Sequence, residues 1–191
     1  MATGFEQVEL NYVPPQNFYM VISLMPTVQY NIQQVQIPAI TGGETDLANR
    51  MNPTKTFIPG HSLDYGTLDV TFLIDKGFAT YREILKWLKA INHPDTHETY
   101  SDWVKNPAAS QTLLSDFANT MSTINLYATD SAMTPVAEWV FHNAFPTSVD
   151  GPQFDSTATE VDYMQASVSF RYSHFEHAIY SETGQRSPVL I

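Results

Sequence analysis

Apolar and polar residues alternate with a period of two through much of the chain. In "DYGTLDVTFLID", Leu68, Val70, Phe72 and Ile74 fall on one side and Thr67, Asp69 and Thr71 on the other. In "VDYMQASVSFRY", Met164, Ala166, Val168, Phe170 and Tyr172 oppose Gln165, Ser167, Ser169 and Arg171. Successive side chains of a strand point to opposite faces, so each stretch predicts a long strand with one dry and one wet face. Shorter strands are predicted at Phe18 to Leu24, Val28 to Ile37, Thr123 to Ala128 and Val136 to Asn143, with "TDSAMTP" as the turn between the last two. Such a set builds a mainly β fold, a β-sandwich or a partly closed barrel.

The period changes once. "TYREILKWLKAIN" sets Tyr81, Ile84, Leu85, Leu88 and Ile91 at helical spacing, with Thr80 and Glu83 placed as a capping box and Pro94 as the stop. One flanking α-helix is therefore expected. Its other face carries Arg82, Lys86 and Lys89, which reads as a solvated stripe or as an outward basic face for an acidic partner.

The chain reads as a single domain over 1–191, with a core at about 15–175 and two segments set apart. Thr41 to Phe57, "TGGETDLANRMNPTKTF", is polar, broken by Gly42, Gly43 and Pro53, and predicts a long loop. Residues 93–120 resemble an insertion, in which Asn106 and Pro107 start a short helix carrying Leu113, Leu114 and Phe117. The C-terminal extension, 177–191, has no clean period and is expected to be mobile unless something docks it.

Composition narrows the function. Aliphatic and aromatic residues make up 43% of 191 residues, enough for a core of its own. The absence of Cys excludes a disulfide framework and a thiolate metal site, and a reducing compartment is expected. "MATGFEQVEL" has neither the basic nor the apolar stretch of a signal peptide, and no apolar run approaches the roughly 18 residues of a membrane helix, so synthesis in the cytoplasm and no membrane partner are expected. Twenty acids against nine bases give a net charge of −11, without a basic cluster that could neutralise phosphates, which argues against conventional DNA binding.

Catalytic motifs fail at the residues their geometry requires. There is no GxGxxG, no P-loop ending and no GxSxG elbow. "HETYS", His97 to Ser101, opens like a zinc-protease helix but has Ser101 where the second His must stand. His93 and His97 could bracket a metal on a helical turn with Asp95 or Glu98, yet solvated loop histidines are the ordinary reading. His174 and His177, three apart on a strand, should point to opposite faces. His142 lies on the Val136, Glu138, Val140 side of its strand and reads as a structural residue, while Trp139, Phe141 and Phe145 read as core. No catalytic, cofactor or metal residue is assigned.

Four blocks, taken in order, resemble the tail tube proteins of contractile-tail bacteriophages, including the related baseplate tube-initiator proteins. They are "PQNFYMVISL", "FIPGHSLDYGTLDVTFLIDKGFATYREILKWLKAI", "PVAEWVFHNAFPTSV" with its Phe-Pro-Thr corner, and "TEVDYMQASVSFRYSHF". The resemblance implies hexameric rings with a continuous inner β-barrel, stacked into a tube inside a sheath, through which viral double-stranded DNA passes without specific binding. It implies as partners other copies of the chain, the tail sheath protein, and baseplate and tail-completion proteins, with the virion tail as location and no enzymatic role. On this analogy Thr67, Asp69, Thr71, Gln165, Ser167 and Ser169 face the lumen, and the segment with Glu44, Asp46, Arg50 and Lys55 contacts the next ring. The Phe145-Pro146-Thr147 corner is expected to end its strand and bend the chain toward a neighbour. A tube-initiator ring, a monomeric β-sandwich binding module and a hydrolase are the alternatives.

Overall fold

The computed structural model describes residues 13–25, 28, 31–47, 56–92, 120–154, 157, 163–181 and 185–189. The short helix expected around Leu113 lies outside these residues, as do His93, His97, Arg50 and Lys55. Among the described residues, ten strands and one helix follow in the order β1 (Phe18–Ile22), β2 (Ile32–Gln36), β3 (Ile40–Leu47), β4 (Thr56–Tyr65), β5 (Leu68–Leu73), α1 (Ala79–Asn92), β6 (Ser122–Thr129), β7 (Pro135–Asp150), β8 (Gln165–Arg171), β9 (His174–Tyr180) and β10 (Arg186–Val189).

All the strand pairs are antiparallel, and β7 organises them. Its first part pairs with β6 on one side and β9 on the other, and its last residues, Phe145 to Asp150, pair with β8. The result is two sheets sharing one strand, β1-β6-β7-β9-β10 and β7-β8-β5-β2. Among the described residues β1 pairs only with β6 and β2 only with β5, so the sheets do not close into a barrel. An apolar cavity of about 350 Å³ fills the open seam, lined by Phe18, Val35, Leu126, Ala128 and Trp139 among others.

The Phe-Pro-Thr corner therefore does not end a strand, as the sequence suggests; it redirects one. Register irregularities fall between Ser122 and Ile124 of β6, where the facing stretch of β7 gains a residue, and between Pro146 and Ser148. Asn143, inside the first of these, has φ 55°, a left-handed conformation that Asn tolerates better than most residues. Pro146 has no N–H to give a ladder, and a break in register is where a strand accommodates it. Both bends serve the same purpose: they carry the chain from one sheet to the other.

The dry faces read from the alternation form the core. Leu68, Val70 and Phe72 of β5 and Ala166, Val168 and Phe170 of β8 are buried, together with Met20, Ile22, Ile124 and Phe141. Helix α1 covers them. Its buried residues are Thr80, Ile84, Trp87 and Ala90, while Tyr81, Leu85, Leu88 and Ile91 are only half-buried, so the packed stripe is rotated from the predicted one. Trp87 is fully buried, its ring 5.8 Å from Phe170 and its Nε1 donating to Thr120 O at 2.9 Å. Trp139, expected in the core, is half-buried: its ring stacks on His177 at 4.8 Å and borders the cavity.

The helix start also differs from the capping-box reading. Thr80 lies inside the helix and accepts a hydrogen bond from Asn31 Nδ2 at 2.7 Å. Asp75 takes the capping role: its Oδ1 accepts from Thr80 N at 3.3 Å and its Oδ2 from Gly77 N at 3.2 Å. The N–H groups of Ala79, Thr80 and Gly77 hold the Asp75 carboxyl below the usual carboxylate range, against a smaller opposing effect of desolvation.

The described residues of the C-terminal extension are docked rather than loose. Strands β9 and β10 form a hairpin against β7, and Arg186 Nε donates to Glu138 Oε2 at 2.8 Å. Glu138 is buried and also accepts from Asn125 Nδ2 at 3.2 Å and Tyr180 O–H at 3.1 Å. Burial pushes its carboxyl up, but hydrogen bonds to Tyr127, Arg186 and Tyr180 outweigh burial and leave it below the ordinary value.

Two predictions follow from this packing. Trp87→Ala should cost about 3–5 kcal/mol in urea unfolding through lost burial and a cavity, and Trp139→Ala distinctly less. A carboxyl depressed by folding contributes stability that is complete above its unfolded value of about 4.3 and is lost as pH falls through the lower folded value. The stability gap between the wild type and Glu138→Gln should accordingly be widest near neutrality and close progressively as acid is added; thermal melts across that range measure it.

A polar sheet face and a projecting arm

The wet faces of the two long strands form one surface. Strands β5 and β8 are neighbours, with Asp69 opposite Ser169, Thr71 opposite Ser167 and Leu73 opposite Gln165. A cross-strand hydrogen bond joins them, Ser169 Oγ donating to Asp69 Oδ1 at 2.6 Å, and Ser167 Oγ donates across to Asp150 Oδ2 of β7 at 2.9 Å. Thr67 precedes β5 and is half-buried.

The surface continues onto both flanking strands. Gln34 and Gln36 of β2 stand opposite Thr71 and Asp69, and Ser148 and Asp150 of β7 stand opposite Ser169 and Ser167. Sequence reasoning missed these four. The signal was present as "IQQVQ" and "TSVD", but the register break in β2 blurs the first and the assumed corner hid the second. The face carries two carboxylates, Asp69 and Asp150, and has Arg171 at its end, whose Nη1 donates to Tyr65 O at 3.3 Å.

The described residues of the predicted loop from Thr41 to Phe57 belong to a two-stranded ribbon. Strands β3 and β4 pair from Ile40↔Tyr65 to Leu47↔Thr56, with an irregularity between Gly42 and Glu44. A long polar stretch with two glycines hides its period, and the glycines allow close approach: a Cβ on Gly60 would sit 2.9 Å from Gly43 O. Glu44 and Asp46 lie on β3.

Among the described residues, the base of this arm is anchored on the core. Tyr65 packs edge-on against Tyr172 and Phe175, both at 5.9 Å, and Gly66 N donates to Ala39 O at 2.9 Å. Beyond it Ile40, Phe57, Ile58 and Leu63 are exposed, Phe57 and Leu63 by more than half (56% and 57%). A lone two-stranded ribbon is marginal in water, and apolar groups gathered on one are the mark of a contact surface.

The basic residues of α1, Arg82, Lys86 and Lys89, are all exposed along one stripe. Since Trp87 packs on the dry side of β8, α1 lies behind the sheet, away from the polar face. Among the described residues no helix is long and apolar enough to cross a membrane.

Comparison with known proteins agrees with this architecture. No curated protein matches the chain. The fold is similar to the tube-terminating cap of the anti-feeding prophage (TM-score 0.61, 17% identity, covering 94% of this chain and 99% of that one). It is similar to a chain of the anti-feeding prophage baseplate (TM-score 0.59, 9% identity, 87% and 95% covered). A third similar structure is the PVC sheath–tube complex of an extracellular contractile injection system in the extended state (TM-score 0.55, 17% identity, 93% and 99% covered). The family model described as phage tail tube protein matches residues 6–178, nearly the whole chain, and the chain thus belongs to the phage tail tube protein family.

Proposed function

We propose that this chain is the ring-forming subunit of a contractile phage tail tube, six copies to a ring and ring upon ring, with the face of β7, β8, β5 and β2 lining the lumen. The observation that carries the reading is that face: a four-stranded wall of short polar side chains with two carboxylates, behind which lies the core. Six copies at −11 carry 6 × −11 = −66 per ring. A passage for a polyanion works by weak repulsion, because each phosphate-neutralising cation would add a salt-sensitive hold.

The sheet edges support a ring as well. Along the inner sheet, β2 and the last residues of β7 have no outer partner strand among the described residues. Pairing β2 of one copy with β7 of the next satisfies both edges and continues the polar wall into a closed inner barrel. The arm then reaches the adjacent ring with its exposed apolar residues and Glu44. The basic stripe of α1 faces outward, towards the tail sheath protein, and the tube ends meet baseplate and tail-completion proteins. Assembly takes place in the host cytoplasm, the finished protein resides in the virion tail, and the role requires no catalytic residue or cofactor.

Electron microscopy of the purified chain tests the reading. Long tubes are expected of the repeating subunit, single rings of an initiator or cap, and monodisperse monomers at high concentration would overturn ring formation. Phe57→Ser with Leu63→Ser should leave the thermal melt nearly unchanged, since both residues are exposed, but shorten or abolish tubes.

The lumen assignment has its own test. Asp69→Lys, Ser167→Lys and Ser169→Lys together would place 6 × 3 = 18 cations around each ring. Particles built from this variant should assemble and contract but eject DNA slowly at low ionic strength, with added salt restoring the rate. Wild-type ejection rates at low salt would remove these residues from the lumen.

A further inference from the structure

Away from the polar face and the arm, one group of metal-ligating side chains comes together among the described residues. His142 of β7 and His174 of β9 are direct cross-strand partners, and Glu176 follows His174 by two, on the same face of β9. One ligand atom from each can be chosen so that all three lie within 4.8 Å of one another. The two imidazoles stack with centroids 4.7 Å apart and planes inclined by 17°.

His142 Nε2 is 3.5 Å from Glu176 Oε1. That separation is close to the ~3.4 Å between two ligand atoms of a tetrahedral zinc with bonds of ~2.1 Å. It is too loose for a hydrogen bond, and Nε2, itself shielded from solvent, has no hydrogen-bond partner. A buried ring nitrogen facing a carboxylate without bonding it is an unsatisfied ligand atom, which folded proteins seldom leave in place without a reason.

The surroundings hold His142 and leave the other two groups adjustable. Ser173 donates to His142 O through both its N–H and its Oγ, each at 3.0 Å, and Asn143 Nδ2 donates to Ser173 Oγ at 2.9 Å. His174 and Glu176 are exposed, which leaves their side chains room to adjust. Among the described residues, Arg186 brings its Nη2 to 3.9 Å from Glu176 Oε2, but its Nε is bonded to Glu138, and Glu176 Oε1 stays available.

We propose that His142, His174 and Glu176 bind a divalent transition-metal ion of the zinc class, with water in the remaining position. Two imidazoles and one carboxylate suit Zn2+, Co2+ or Ni2+, whereas Mg2+ and Ca2+ prefer oxygen ligands alone. The ion would bridge β7 and β9 and so fasten the C-terminal hairpin to the strand shared by both sheets.

Equilibrium dialysis of the tag-free full-length chain against Zn2+, with metal counted by mass spectrometry, should find one equivalent per chain, and Co2+ should give the visible absorption of a tetrahedral site. His174→Gln and Glu176→Gln alter exposed residues and should fold normally, yet weaken binding at least about tenfold, in line with the sensitivity of metal sites to loss of a polar group. Zn2+ should raise the thermal midpoint of the wild type and leave that of His142→Gln with His174→Gln unmoved. A His93→Gln, His97→Gln variant should bind like the wild type. No uptake by the wild type, or an equivalent that survives in the His142→Gln, His174→Gln chain, would overturn the site.

Discussion

One strand has to belong to two sheets, and the remainder of the fold is arranged around that requirement. Strand β7 runs for 16 residues, with β6 and β9 beside its first part and β8 beside its last residues. A straight strand of that length would keep its side chains on two fixed faces and could serve one sheet only. The extra residue at Asn143 and the break after Pro146 change the direction of the chain and the side to which each residue points. Phe141 and Ala144 are consequently both buried although they are three apart.

The bend creates the two environments found on either side of it. Before it, Glu138 is enclosed and tied to Asn125, Tyr180 and Arg186, which fastens the C-terminal hairpin to the first sheet. After it, Ser148 and Asp150 extend the polar surface of β5 and β8. A buried carboxylate is tolerable only when its hydrogen bonds are met, whereas Asp150 is exposed and has Ser167 as its partner. Acidic residues of the same strand thus hold the protein together in one place and set the character of a surface in another.

Charge and hydrogen-bonding edges point to the same use of the molecule. The sheet of β7, β8, β5 and β2 buries one side under Trp87 and Phe170 and keeps the other side polar. The arm of β3 and β4 is anchored at Tyr65 and leaves Phe57, Ile58 and Leu63 exposed among polar residues, and a lone two-stranded ribbon of this kind is marginal in water.

Local pattern by itself determined the strands with a clean period of two, helix α1, and the polar side chains of Asp69, Thr71, Ser167 and Ser169. Alternation is written into each strand separately, and the ordered blocks that resemble the tail tube family needed no contact to be read. Tertiary structure alone decided that β5 and β8 are neighbours, so that two wet faces became one, because register depends on which strands meet and not on either strand's own pattern. It decided that Thr41 to Leu47 pair with β4, since a ribbon exposed on both faces has no alternation to show. It made Asp75, and not Thr80, the cap of α1 and rotated the helix to bury Trp87, since the depth of the groove beneath a helix is set by the sheet. It also placed His142 beside His174 and Glu176, residues more than thirty positions away that only the pairing of β7 with β9 brings together, with one ligand atom of each within 4.8 Å of the others.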